Sequence, residues 1–413
     1  MHFVLLNQFY PPEVAPTGVM LEALAGALAE RGHQVTVVCG GALAGGGERG
    51  REGGAVRLVR LRAWPWGKKS VAGKLLAYAS FYAGVAWQLA RMGEKVEVIV
   101  ALTTPPYLSV LARAGAWWHG GRHAHWVMDL YPDVMLAHGM LRQGGWAAEA
   151  LRGLGRWGMG GRGAGAVVTL GPDLGEKLGV YLEAGREAAV VPLWGTAGGA
   201  AEAGRVAEVR AQRGWSGKEV VFLYSGNMGL GHCFGDIVEA AGRLAGAVPE
   251  GAFRLAFFGG GKRRGELEAA AARAPGQGFR LELQGYVPKG ELAAHLESGD
   301  VHLASLEPAW DGMMVPSKLP GIFAAGRPVL FTGSRSCSIG RWILESGGGW
   351  VVAPGDVAGH VAALRAALDP AERARRGEAA RAFGARWFDP QRNVARMVDL
   401  LEAGRGLAGP AAP

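Results

Sequence analysis

Short apolar and β-branched runs alternate along the chain with longer stretches whose apolar residues recur at helical spacing. Phe3–Leu6 opens the series and gives way to a loop, Asn7–Gly18, that carries three prolines. Leu21, Leu24, Ala25 and Leu28 then share one helical face, Gly32 stops that helix, and Gln34–Cys39 is the next strand. A strand that returns after a single helix is the unit of a parallel sheet, whose crossovers cover both faces with helices. The same pattern predicts strands at Val56–Leu61, Val96–Ala101, His125–Met128, Ala166–Leu170 and Ala188–Val191. A glycine- and alanine-rich stretch, Leu193–Gly204, interrupts the alternation and reads as a linker. A second series starts at Val220–Tyr224 and continues through Arg254–Phe258, Arg280–Gln284, Val301–Ala304, Pro328–Phe331 and Gly349–Val352. Helical patterns from Ala371 to Gly404 close the chain. The expected fold class is α/β, two doubly wound domains in tandem.

Composition narrows the class. Half of the 413 residues are apolar, which argues against disorder, and the 69 glycines follow no triplet period, which excludes collagen. Cys39, Cys233 and Cys337 share no metal-type spacing and cannot all pair, so a reducing, cytoplasmic setting is expected. Phe3–Leu6 is too short for a secretory signal, and the uncharged stretch Leu75–Ala90 falls short of the roughly 20 residues a spanning helix needs. The net charge of +8 favours anionic partners without selecting one.

In doubly wound sheets ligands bind beyond the carboxyl ends of the strands, so the loops there are the candidate chemistry. Thr17–Gly18 opens a helix and is either a phosphate approach or an ordinary helix start; the dinucleotide fingerprint G-x-G-x-x-G is absent there. Ser225–His232 holds three glycines that let backbone fold around an anion. His232 there is either a donor to a phosphate or sugar hydroxyl or a satisfied structural residue. Gly259–Gly261 precede Lys262, Arg263 and Arg264, cations whose place at a helix start opposes the helix dipole and would be relieved by an anionic ligand. Arg264 is expected to face solvent. Glu307–Leu319 is the richest loop. Pro316 predicts a helix start with Ser317 and Lys318 in its first turn, a diphosphate site or else a cap and a solvated charge. Asp129 and Asp133 follow the His125–Met128 strand, and Thr103–Pro106 ends another. The carboxylates suit catalysis or substrate orientation, although Asp133 is equally a turn former.

With these loops in order, the chain resembles the retaining glycosyltransferases of family 4 with the GT-B fold, in the bacterial branch that builds capsule, O-antigen and colanic-acid-type polysaccharide. The resemblance rests on Asn7–Pro12 with Thr17–Gly18, Leu28–Val37, Thr103–Pro106, Asp129–Asp133, Tyr224–Gly229, Gly285–Pro288, Val315–Leu319 and Ala324–Val329. It implies two Rossmann-like domains facing across a cleft. Residues 1–195 would hold the acceptor and 205–385 a nucleotide-diphosphate sugar, and 386–413 would cross back to brace the first domain. By the same resemblance Asp129, Lys318 and Arg263 are the catalytic candidates. Gly18, Gly226, Asn227, His232, Lys262, Tyr286, Val287, Ser317 and Leu319 would line the donor, with amides of Asp311, Gly312, Met313 and Met314 facing the transferred sugar. Thr17, Thr104 and Asp133 fall on the acceptor side.

Two departures stand out. Met313 and Gly321 occupy the places of the Glu-x7-Glu pair found in many members, and Asn227 with a glycine–histidine stretch replaces an Arg and a Lys. The leaving-group charge then falls to Lys318, Lys262 or Arg263. No Asp-x-Asp triplet suggests a divalent metal, and neither metal nor cofactor is expected. Basic residues between 49 and 74, with Trp64 and Trp66 among them and the apolar stretch behind, suit either an anionic membrane surface over residues 49–90 or a solvated loop before a core helix. A membrane surface fits a lipid-linked acceptor. A GT-B epimerase and an inactive nucleotide-sugar-binding protein are the alternatives, and nucleic-acid binding lacks any accompanying signature.

Overall fold

The computed structural model describes residues 1–13, 15–41, 56–61, 71–194, 201–273 and 278–404. The chain divides into two compact units. The first comprises Met1–Pro192, Gly312–Val315 and Gln391–Pro413; the second comprises Leu193–Asp311 and Pro316–Pro390.

The first unit is built on seven parallel strands in the order β3-β2-β1-β4-β5-β6-β7. They are β1 (His2–Leu6), β2 (Gln34–Gly40), β3 (Val56–Leu61), β4 (Val98–Ala101), β5 (Arg122–Val127), β6 (Ala164–Thr169) and β7 (Ala189–Val190). β4 starts later than its apolar run, because its pairing with β1 begins with Phe3 opposite Val98. The helices that concern the site are α1 (Pro16–Glu30), α2 (Val71–Arg91), α3 (Leu108–His119), α4 (Asp133–Ala137) and α5 (Trp146–Met159). The uncharged stretch 75–90 lies in α2. Its Phe81, Val85 and Leu89 are buried with Leu108, Ala112 and Ala116 of α3 against Val4, Leu6 and Ile99. That face is core, while Leu75, Leu76 and Trp87 stay exposed. Among the described residues no helix is long and apolar enough to cross a membrane.

Much of the basic segment read as a membrane surface lies outside the described residues, including Arg49, Arg51, Arg62, Trp64, Trp66, Lys68 and Lys69. Arg60, which is described, turns inward: its guanidinium donates to the Pro11 carbonyl and lies over the Tyr10 ring. The last helix, Pro390–Ala403, runs with the first unit from Gln391 onward. There the Asn393 amide donates to the Pro192 carbonyl at 3.1 Å, and the Glu402 carboxylate takes Arg31 and His33 at 2.9 and 2.7 Å.

Six parallel strands in the order β10-β9-β8-β11-β12-β13 make the second unit. These are β8 (Val220–Ser225), β9 (Phe253–Phe258), β10 (Arg280–Gln284), β11 (Val301–Ser305), β12 (Val329–Thr332) and β13 (Gly349–Val352). Phe222, Tyr224, Phe253 and Phe257 supply its aromatic core. In both sheets the strand order reverses next to the first strand, so β1/β4 and β8/β11 flank the crevices where such sheets take ligands. Near the amino ends of β8 and β9, Arg254 grips Glu219 through two nitrogens at 2.8 and 2.9 Å and reaches Glu282 at 3.3 Å. Arg254 and Glu219 are both buried. Removing one partner would strand a charge in the interior. Glu219→Ala should therefore cost about 3–5 kcal/mol of stability in chemical denaturation of the second unit.

Candidate functional site

The carboxyl ends of β8, β9 and β11 bring three glycine-bearing loops together. Gly226 has φ +136°, and a Cβ there would lie 2.8 Å from Lys318 Cε; at Gly259, φ +130°, a Cβ would meet the Gly226 carbonyl oxygen at 2.1 Å. Neither position admits a side chain, so the backbones close up and leave a channel for Lys318. The loops are stitched by Gly226 N to Phe258 O at 2.9 Å and Met228 N to Gly260 O at 2.7 Å. Tyr224 closes the turn by donating its hydroxyl to the Asn227 carbonyl at 2.7 Å.

Lys318 is the cation of this cluster. Its Nζ lies 3.3 Å from His232 Nε2 and 4.5 Å from the centre of the Tyr224 ring. The opposite ring nitrogen of His232 sits 2.7 Å from the Ser305 carbonyl, an acceptor, so Nδ1 carries the proton and Nε2 presents its lone pair to Lys318. Burial, and then the Lys318 charge, push the imidazole down to about 3, so it stays neutral. No carboxylate pairs with Lys318 among the described residues, and desolvation lowers its ammonium to about 7. A neutral acceptor and an aromatic face hold this cation without cancelling it.

Several expected donor residues take other roles here. His232 accepts a hydrogen bond from Lys318 and donates to the Ser305 carbonyl, which matches the second of its two expected roles, a satisfied structural residue, rather than a donor to a phosphate or sugar hydroxyl. Arg263 is occupied: Nε and Nη2 donate to the Leu230 carbonyl at 3.2 and 3.1 Å, and Glu266 and Glu307 lie at 3.2 and 3.5 Å. For Arg263 the opposition to the following helix is thus met by carboxylates of the protein itself, as it is for Arg264 by Glu268 at 2.8 Å. Arg264, expected in solvent, donates to the Gly259 and Gln284 carbonyls at 2.6 and 2.9 Å and ties the second glycine loop to β10. The helix after Pro316 spans Leu319–Ala324, with Lys318 as its N-cap and Pro320 in its first turn, three residues later than a start at Pro316. Pro320 accounts for the shift, since a fixed φ and a missing N–H suit that position. Lys262, Asn227, Ser317 and Tyr286 are exposed, Val287 is half-buried, and Leu319 is core. Tyr286 donates to the Gly260 carbonyl at 3.3 Å. Asp311 is half-buried.

In the first unit, Asp129 is joined to Met314 by an antiparallel bridge, and the Leu130 N–H donates to the Met313 carbonyl at 2.8 Å. The Gly312 N–H donates to Asp173 at 3.1 Å. Three of the four amides assigned to the sugar thus lie in a segment strapped along Asp129. Burial alone raises the Asp129 carboxyl to about 6. It shares a cavity with Thr103, Tyr107, His125 and Tyr131, in which the Tyr107 hydroxyl is buried without a hydrogen-bond partner among the described residues. Asp133 is engaged elsewhere, accepting from the Tyr181 hydroxyl with Arg152 at 3.6 Å. Gly18 is buried against the Phe9–Tyr10 backbone, Thr17 receives the Asn7 amide at 3.4 Å, and the Thr104 carbonyl accepts from Gln8 N at 2.7 Å. Tyr224, Ser305, Tyr107 and His125 were not singled out from the sequence. Ser305 ends β11 and Tyr224 is the penultimate residue of β8, the one signal that could have found them.

Comparison with known proteins agrees with this architecture. Residues 17–194 match the Glycosyl transferase 4-like domain, and residues 219–369 match the Glycosyl transferases group 1 family. A stretch of 142 residues is 32% identical to a probable glycosyltransferase, WbjE, of Pseudomonas aeruginosa, and spans 34% of each chain. Among solved structures, the sucrose-phosphate synthase of Thermosynechococcus elongatus superposes with a TM-score of 0.72 at 15% identity, over 97% of this chain and 98% of that one. HepE of Anabaena, solved with UDP and glucose, gives 0.69 at 12% identity over 98% and 100%. WaaG, a glycosyltransferase involved in lipopolysaccharide biosynthesis, gives 0.65 at 16% over 97% and 100%. With two Rossmann-like parallel-sheet domains of GT-B type and both family matches in order, the chain belongs to the family 4 glycosyltransferases.

Proposed function

We propose that the protein moves a hexosyl or N-acetylhexosaminyl group, with retention, from a nucleoside-diphosphate sugar to a lipid-linked sugar in cell-surface polysaccharide synthesis. One observation carries the donor half of this reading: a desolvated ammonium, Lys318, held without a counter-charge among glycine loops at the β8/β11 crevice. HepE, solved with UDP-glucose, supports a nucleotide-sugar donor. The lipopolysaccharide role of WaaG supports the cell-surface context.

Breaking the anomeric bond leaves a nucleoside diphosphate of growing negative charge while the sugar becomes oxocarbenium-like. A cation already stripped of water gains most from that change, so its interaction is stronger in the transition state than with bound donor. No metal is needed if Lys318 and the loop amides meet the charge. Retention follows when the acceptor attacks on the face the leaving group departs from and a donor phosphate oxygen takes its proton. Asp129, with its raised carboxyl, then orients the sugar on the first unit.

The test is transfer from a panel of nucleoside-diphosphate sugars to lipid-diphosphate-linked and free saccharide acceptors. Lys318→Ala should lower kcat/KM by about 10²–10³-fold with the circular dichroism spectrum unchanged. Unaltered kinetics would remove Lys318 from the mechanism, and donor binding without transfer to any acceptor would overturn the assignment.

Lys318 also leaves a mark on stability. An ordinary lysine stays charged up to about 10.5, whereas this one loses its proton in the folded state near 7. Between those values the unfolded chain holds the extra proton, so the cost of burying Lys318 is full below pH 7 and fades as pH rises towards 10.5. Lys318→Met should therefore melt higher than wild type at neutral pH, by on the order of 1 kcal/mol, with the gap closing at alkaline pH. The melting-temperature rise given by nucleoside diphosphate should disappear in the same variant.

A further inference from the structure

Five of the 14 tryptophans are exposed on three neighbouring helices of the first unit: Trp87 on α2, Trp117 and Trp118 on α3, and Trp146 and Trp157 on α5. Their exposure runs from 45% to 86%, far from the usual burial of so large an aromatic. α3 packs against both α2 and α5, so these side chains belong to one helical layer over the sheet. The apolar interior does not claim them, since Phe81, Val85, Leu108 and Ala112 already fill the inward faces. His119 donates to the Leu89 carbonyl at 2.9 Å and ties the carboxyl end of α3, with Trp117 and Trp118, to the end of α2 that carries Trp87. Leu75 and Leu76 add exposed apolar surface nearer the start of α2.

The charge on this layer is one-sided. Along α2, α3 and α5 the chain places Lys74, Arg91, Arg113, Arg152 and Arg156 against a single acid, Glu149, which Arg152 takes at 2.6 Å. Two of the arginines lie over the tryptophans themselves: Arg91 is 5.3 Å from the Trp87 ring and Arg113 is 4.3 Å from that of Trp157. An amphipathic aromatic with a guanidinium beside it suits a boundary that is apolar on one side and anionic on the other. The five-to-one excess of cations over acids on these helices complements an anionic surface. We propose that the α2–α3–α5 face docks on an anionic lipid bilayer, with the tryptophans seated at headgroup depth and the basic residues on the phosphates. No described helix can span the bilayer, so the attachment is peripheral. The surface stands on exposure and charge, independently of the reaction proposed above.

Flotation of the full chain with vesicles tests it. The protein should rise with phosphatidylcholine vesicles containing a third phosphatidylglycerol, stay behind with phosphatidylcholine alone, and be released by salt. Substituting Trp87→Ser, Trp117→Ser and Trp118→Ser together should weaken partitioning at least about tenfold. These positions are exposed, so the melting temperature should not change; Trp146→Ser, at the solvent-facing start of α5, serves as an independent variant. Failure to float at low salt, or flotation that ignores these substitutions, would overturn the proposal. So would sedimentation showing a dimer that the substitutions dissolve, since the face would then meet a second copy of the chain. Neither transfer nor nucleotide binding enters the readout, so a failed transfer assay and a failed flotation are separate results.

Discussion

A lysine ammonium kept out of water without an acid beside it is the constraint on which the second unit's crevice depends. Ammonium groups normally escape burial or find a carboxylate. Here Lys318 has the lone pair of a neutral imidazole and the face of Tyr224. The imidazole can serve only in one tautomer, and the Ser305 carbonyl selects it by taking the proton of Nδ1. Ser305 ends β11 and Tyr224 comes one residue before the end of β8, so two neighbouring strands set the position of one cation. The glycines follow from the same need, because a Cβ at Gly226 would occupy the path of the lysine side chain.

The second unit divides its electrostatics between the two ends of its sheet. Toward the amino ends, Arg254, Glu219 and Glu282 form a closed, mutually satisfied network that stabilises the strands. Toward the carboxyl ends, Lys318 is left unneutralised, while the Arg263 charge beside it is answered by Glu266 and Glu307. The first unit repeats the theme with other chemistry. Asp129, Tyr107 and His125 share a cavity in which the phenol lacks a partner among the described residues, and the carboxyl is pushed up by burial. Polar groups left unmatched in a folded interior cost stability, and such costs concentrate where a ligand can repay them.

Hydrophobic patterning alone located nearly every strand, because apolar runs buried on both faces of a parallel sheet leave a strong local signal. Boundaries moved by one to three residues where pairing with a neighbour decided them, as at β4 and β5. The helix around Lys318 shifted because two prolines, Pro316 and Pro320, both suit a helix start, and local sequence does not choose between them. α2 was ambiguous for a related reason. Its residues carry an apolar face for the core and a second, tryptophan-bearing face, and a sequence window adds the two together.

Order, spacing and residue type therefore determined the α/β class and the loops where chemistry gathers, since each leaves a signal local to the chain, and the resemblance carried by those loops indicated the family. The partners within those loops were settled by tertiary structure. His232 as acceptor, Arg263 as brace, Asp133 as a tyrosine's partner and the outward tryptophans all depend on atoms dozens of residues away. A side chain's charge and hydrogen-bonding capacity are written in its identity. Whether they are spent on the protein or left for a ligand depends on which distant backbone atoms the fold brings within about 3 Å.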